Sequence, residues 1–165
     1  MERYLDLSYF YSLQAKLDQE IASKHHISYE TTRVKRTLAL YVEIGELANA
    51  SRCFKYWSNK ESESKERLLD EYADGLHFIL SLGIDIKIEN KIFKLENLKL
   101  DSSSIFIKLY SSIASFSKTY SFIDYKEVIE NFLSLSFAFS FSSEDIFKAY
   151  LKKLNVNYIR QENNY

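Results

Sequence analysis

Apolar residues recur along this chain every three or four positions, the period of an amphipathic helix, in six separate stretches. The first predicts a helix near 4–23, with Tyr4, Leu7, Tyr11, Leu13 and Leu17 on one flank before HHIS breaks the pattern. The second predicts a helix near 32–55, with Val34, Leu38, Tyr41, Val42 and Leu47 as its buried side. The polar run SNKESESKE reads as a loop into a third helix near 63–83, carrying Leu68, Leu69, Tyr72, Leu76, Ile79 and Leu80, with Gly83 as its stop. Residues 84–102 alternate apolar and charged, and read equally as a small hairpin or as irregular chain. Two helices follow near 103–119 and 124–140. Their many serines suggest low complexity, but Ile105, Leu109 and Ile113 keep helical spacing and favour a packed helix. A last helix near 143–154 opens on a Ser-Ser-Glu-Asp cluster suited to an N-cap, and a polar tail, Asn155–Tyr165, closes the chain.

The pattern predicts an all-α helical bundle of about six helices in one domain spanning 1–165. Composition agrees. Proline is absent and glycine numbers only 3, too few for the turns of an all-β fold. Hydrophobic residues make up 46% of the chain, enough for a real core and against disorder. A net charge of −1 with no long basic run argues against duplex nucleic acid as the main partner. Cys53 is the single cysteine, so no internal disulfide forms and a reducing cytoplasm fits. MERYLDLSYF carries acids early and lacks the apolar segment of a signal peptide. No apolar run reaches the ~18 residues of a membrane span.

The chemistry lies in two short acidic motifs, Glu43-x-x-Glu46 on the second helix and Glu71-x-x-Asp74 on the third. Helical residues three apart share a face, their Cβ atoms about 5–6 Å apart. One such pair is ordinarily a solvated face. Here the acids border apolar positions: Glu43 sits between Leu40 and Leu47, Glu46 follows Val42, and Asp74 precedes His77 and Phe78. Carboxylates beside an apolar seam are costly unless paired or metal-bound. Antiparallel packing of the two helices would bring four carboxylates together, a hard oxygen set suited to Mg²⁺ and a phosphate substrate. Taken alone, His77 reads as a core histidine and Phe78 and Trp57 as core aromatics, the basic tail fits ordinary solvated surface, and spacing decides nothing for Lys153, Arg160 and Gln161.

Together these residues resemble the dimeric all-α dUTPases (dUTP diphosphatases) of phages, bacteria and kinetoplastids, within the MazG-like all-α NTP pyrophosphohydrolases. The shared metal signature is ExxE, a spacer, then ExxD; here 24 residues separate the two pairs. EIGELANASRCFKYWS resembles the first metal helix and the Lys-x-Trp after it, and DEYADGLHFILSLGI the second with its Asp-x-x-His-Phe. KLNVNYIRQENNY resembles the closing motif, with Asn164 where the family has Gly, and SLQAKLDQEI resembles the family's opening helix. Asn tolerates left-handed backbone better than most residues, so that turn survives the change.

The resemblance implies Mg²⁺-dependent hydrolysis of dUTP to dUMP and pyrophosphate, limiting uracil incorporation into DNA. It implies two or three Mg²⁺ ions on Glu43, Glu46, Glu71 and Asp74, the catalytic carboxylates, with Glu46 the leading choice to orient or deprotonate water. It assigns Lys55, Lys153 and Arg160 to phosphates, and Gln14, Trp57, His77, Phe78 and Asn157 to the nucleoside. Residues 155–165 become a tail that closes over the nucleotide through Gln161 and Tyr165. It also implies a homodimer and a bacterial or phage-borne source with a cytoplasmic site of action, and it leaves open whether dUDP is a substrate, as it can be when a site grips two phosphates. Two alternatives stay open. One is a dCTP/dUTP or broader house-cleaning pyrophosphohydrolase, because a Gln amide can flip. The other is a catalytically weak helical protein that binds a regulatory protein.

Overall fold

The computed structural model describes residues 3–163, so the expected contacts of Asn164 and Tyr165 lie outside the described residues. Six helices carry the fold: α1 (Ser8–His25), α2 (Tyr29–Ser51), α3 (Lys65–Asp85), α4 (Ser102–Thr119), α5 (Phe122–Ala138) and α6 (Ser143–Glu162). Two short strands, β1 (Arg3–Asp6) and β2 (Ile92–Leu95), pair antiparallel with Arg3 opposite Leu95 and Asp6 opposite Ile92. The predicted all-α bundle is therefore correct.

Side chains set most helix starts. Ser28, Ser64, Asp101, Ser121 and Ser142 each accept a bond from a backbone N–H in the first turn, supplying partners that the opening turn lacks. Ser28 with Thr31, and Ser142 with Asp145, close reciprocal capping boxes. With so few glycines, three helices end on left-handed residues that are not glycine: His26, Arg52 and Tyr120.

α3 is the central element, packed against α1, α2, α5 and α6. It runs antiparallel to α2: Arg33 near the start of α2 pairs with Asp85 at the end of α3, and the Glu63 N–H bonds to the Ala50 carbonyl at the other end. Leu40, Ile44, Leu47, Leu76, Ile79, Leu80 and Phe132 are fully buried where these helices meet.

Several expectations need correction. The helix predicted from residue 4 starts at Ser8, because residues 3–6 are a strand and Tyr4 is 59% exposed. Residues 84–102 form no local hairpin; β2 pairs with the N-terminus instead, and its Phe93 fills the core. The buried side assigned to α2 is largely its outer one. Val34, Leu38 and Val42 are 74%, 64% and 52% exposed, while Leu40, Ile44 and Leu47 face inward. α6 does not stop at 154, so residues 155–162 are its last two turns and not a separate strand of tail.

Gly83 does not end α3, which continues to Asp85. It makes room instead. A Cβ at Gly83 would lie 2.6 Å from Tyr125 Cζ, against its hydroxyl, and 3.0 Å from Tyr11 Cε1. Those two buried tyrosines are hydrogen-bonded to each other, and Tyr125 donates to the Ile79 carbonyl. Gly83→Ala is expected to destabilise the protein by about 1–3 kcal/mol through overpacking, measured by chemical denaturation; an unchanged midpoint would mean the tyrosine pair moves aside freely.

Candidate active site

Antiparallel packing of α2 on α3 brings Glu43, Glu71 and Asp74 together, with one oxygen from each within 4.8 Å of the others. Gly75 permits the approach, since a Cβ there would lie 3.3 Å from Ile44 Cδ1 and 3.1 Å from Phe132. Glu46, one turn along α2, is exposed and stands outside this group, although its charge still reaches Glu43 and Glu71. Burial, then the charges of Asp74 and Glu71, push the Glu43 carboxyl up to about 7. Burial raises Glu71 and Asp74 as well. The protein's own cations offset only part of this repulsion. Buried Lys153 on α6 pairs with Asp74 at 2.7 Å and Asp70 at 3.1 Å, and Arg67 pairs with Glu71. Clustered carboxylates that resist full ionisation are what a divalent cation would relieve. The all-oxygen donor set fits a hard ion such as Mg²⁺.

Beside this cluster a pocket of about 830 Å³ opens between α1, α2, α3 and α6. Asp74, His77, Phe78 and Ser81 mark its course along α3, with Glu43 at the acidic end. Gln14 of α1 is 3% exposed and tightly held in its wall. Its Oε1 accepts from the Tyr150 hydroxyl at 3.0 Å and lies 2.5 Å from His77 Nδ1; its Nε2 donates to Asp18 Oδ1 at 2.8 Å. His77 stacks on Tyr150 with ring centres 4.3 Å apart. Burial lowers its pKa to about 4, so the imidazole is neutral at pH 7.

Asn157, Arg160 and Gln161 reach the same pocket from the last turns of α6. Arg160 donates to Asn157 Oδ1 at 3.4 Å, and its charge offsets a little of the rise that burial imposes on Asp74. Gln161 Oε1 bonds to His25 Nε2 at 2.9 Å, tying the end of α6 to the end of α1. Lys153 touches the acids rather than open pocket. Lys55 and Trp57 do not line this pocket. They lie in the loop after α2, where Trp57 is 64% exposed and packs on Phe54 and Tyr56.

Among the lining residues given no role from the sequence are Asp18, Tyr29, Arg36 and Ser81. Asp18 Oδ2 accepts from Tyr29 at 3.0 Å, and Arg36 stacks over the Tyr29 ring at 5.0 Å while bonding the Ser81 carbonyl at 3.2 Å and Asp85 at 2.7 Å. Asp18 had a local signal, because it stands four residues after Gln14 and so shares its face. Tyr29, Arg36 and Ser81 had none, since their roles arise from contacts between helices.

A family model described as dUTPase matches residues 6–165, nearly the whole chain, and the chain belongs to this all-α dUTPase family. No curated protein matches the chain.

Proposed function

We propose that this member of the dUTPase family hydrolyses dUTP between its α- and β-phosphates, giving dUMP and pyrophosphate with Mg²⁺. The observation that carries this reading is the meeting of three carboxylates from two helices, two of which, Glu43 and Asp74, line a nucleotide-sized pocket. Glu43, Glu71 and Asp74 would hold the metal, two or three ions if Glu46 turns in from solvent. Bound there, the ions supply Lewis-acid polarisation of the phosphoryl group and neutralise the leaving charge.

The chain's own groups do the rest. Arg160 offers a fork of donors to phosphate oxygens beside Asp74. Lys153, held by Asp70 and Asp74 beside the carboxylate cluster, would contact the phosphates from there. Gln14 meets the base. Phe78 packs on the deoxyribose and offers no partner to a 2′-hydroxyl, which disfavours UTP. Asn157 holds the 3′-hydroxyl, and neutral His77 keeps Gln14 in place. The end of α6, joined to α1 through Gln161 and His25, excludes water above the nucleotide. Analysis of the products tests the cleavage site: dUMP and pyrophosphate in equal amounts are expected, and release of orthophosphate from dUTP would contradict it.

The active form is a homodimer in this reading. Val34, Leu38 and Val42 form an exposed apolar stripe at four-residue spacing on α2. Beside it Tyr41 stacks on Tyr110 of α4, whose Ile107 is 68% exposed. A second copy would bury this stripe, and Lys55 and Trp57 would then be available to the partner's pocket. Leu38→Glu is expected to yield a folded monomer in sedimentation. A dimer of unchanged affinity would remove this face of α2 from the interface.

A further inference from the structure

The three neighbours of Gln14 do not constrain it equally. Tyr150 and His77 consume both lone pairs of its carbonyl, and Asp18 takes one of its two N–H groups. What remains for the pocket is a single donor and no acceptor. A tyrosine hydroxyl can donate or accept, and a neutral imidazole nitrogen does either according to tautomer. Burial raises the Asp18 carboxyl, while its hydrogen bonds with Gln14, Ser81 and Tyr29 and the Arg36 charge favour the ionised form, which only accepts. Asp18 is therefore the one neighbour that forbids the flipped amide, which would press carbonyl oxygen against carboxylate oxygen.

Asp18 is itself braced. Its second oxygen accepts from Tyr29, whose ring lies under Arg36, and Arg36 is anchored on Asp85, whose side chain is 2% exposed. The brace runs from α1 through α2 to the end of α3, so the carboxylate is fixed within the pocket wall itself.

We propose that Asp18 is a positioning residue for base selection: by pinning Gln14 as a donor, it makes the pocket favour a pyrimidine with a carbonyl at position 4 over one with an amino group there. The inference rests on Gln14 meeting the base, as in the function proposed above. Uracil offers O4 as an acceptor to that N–H. Cytosine would set its amino group against it, leaving two donors facing each other in a buried site.

The test is kcat/KM for dUTP and for dCTP in the wild type, Asp18→Asn and Tyr29→Phe. Asn has nearly the same shape but can donate or accept, which frees the Gln14 amide to turn. The ratio of dUTP to dCTP is expected to fall roughly tenfold or more in Asp18→Asn, about 1.4 kcal/mol of discrimination. It is expected to hold in Tyr29→Phe, which keeps the carboxylate. Asp18→Ser, smaller and also able to donate or accept, should show the same fall and guards against a folding failure in Asp18→Asn. Parallel loss on both substrates with an unchanged ratio would overturn the proposal and leave Asp18 a structural residue. A wild type that hydrolyses both nucleotides equally would overturn the base-reading role of Gln14 along with it.

Discussion

Asp74→Asn is expected to lower the rate of dUTP hydrolysis about a thousand-fold, the loss of roughly 4 kcal/mol of charge stabilisation in the transition state. A neutral amide is a poor ligand for a hard divalent ion, and two carboxylates would remain where three converge. The fold should survive. Lys153 keeps Asp70 as its partner, and Asp74 lies at the pocket wall and not in the apolar core. Circular dichroism should therefore match the wild type, while any rise in Tm on adding Mg²⁺ should vanish. A variant with near-normal turnover would remove Asp74 from the metal site.

Asp85→Ala is expected to cost stability, on the order of 3 kcal/mol. The Asp85 carboxylate is buried between two arginines: Arg33 reaches it with two bonds at 2.7 and 2.9 Å, and Arg36 with one at 2.7 Å. Burial by itself would raise its pKa, but the arginine hydrogen bonds and charges outweigh burial and hold it below the ordinary carboxylate range. Alanine would leave Arg36, whose side chain is 12% exposed, without its counter-charge. For a chain of this length the loss corresponds to a fall in Tm of roughly 6–12 °C. The lowered pKa also sets a direction with pH. The pair's contribution is whole above the ordinary carboxylate pKa and is lost as pH falls through the folded value. The gap in Tm between wild type and variant should therefore narrow in acid. A variant as stable as the wild type would show that the two arginines find water or other partners at no cost.

Most of the helical frame was legible because its signals are local. Period located α3, α4 and α5 to within two residues, and Ile105, Leu109 and Ile113 of α4 are buried as their spacing required. What failed depends on partners distant in sequence. β1 is four residues long and pairs with a strand almost ninety residues away, so nothing near Arg3 announces it. α2 carries apolar residues on two faces, and periodicity alone does not say which faces inward. At the site, Glu43 and Asp74 were readable as acids beside apolar seams and Glu71 by its three-residue spacing from Asp74, and the pocket also receives Gln14, His77, Phe78, Asn157, Arg160 and Gln161. Glu46 has the same spacing signal but points to solvent. The brace of Asp18, Tyr29, Arg36 and Asp85 was invisible because each member is ordinary in its own helix and acquires meaning only across three of them.

The central claim is that these carboxylates and this pocket make a Mg²⁺-dependent enzyme for dUTP. The most direct measurement is pyrophosphate release from dUTP, dCTP, dTTP and UTP, each with Mg²⁺ and with EDTA. The account predicts rapid release from dUTP alone among the four, abolished by EDTA. Equal release from all four nucleotides, or release from dUTP that persists in EDTA, would contradict it.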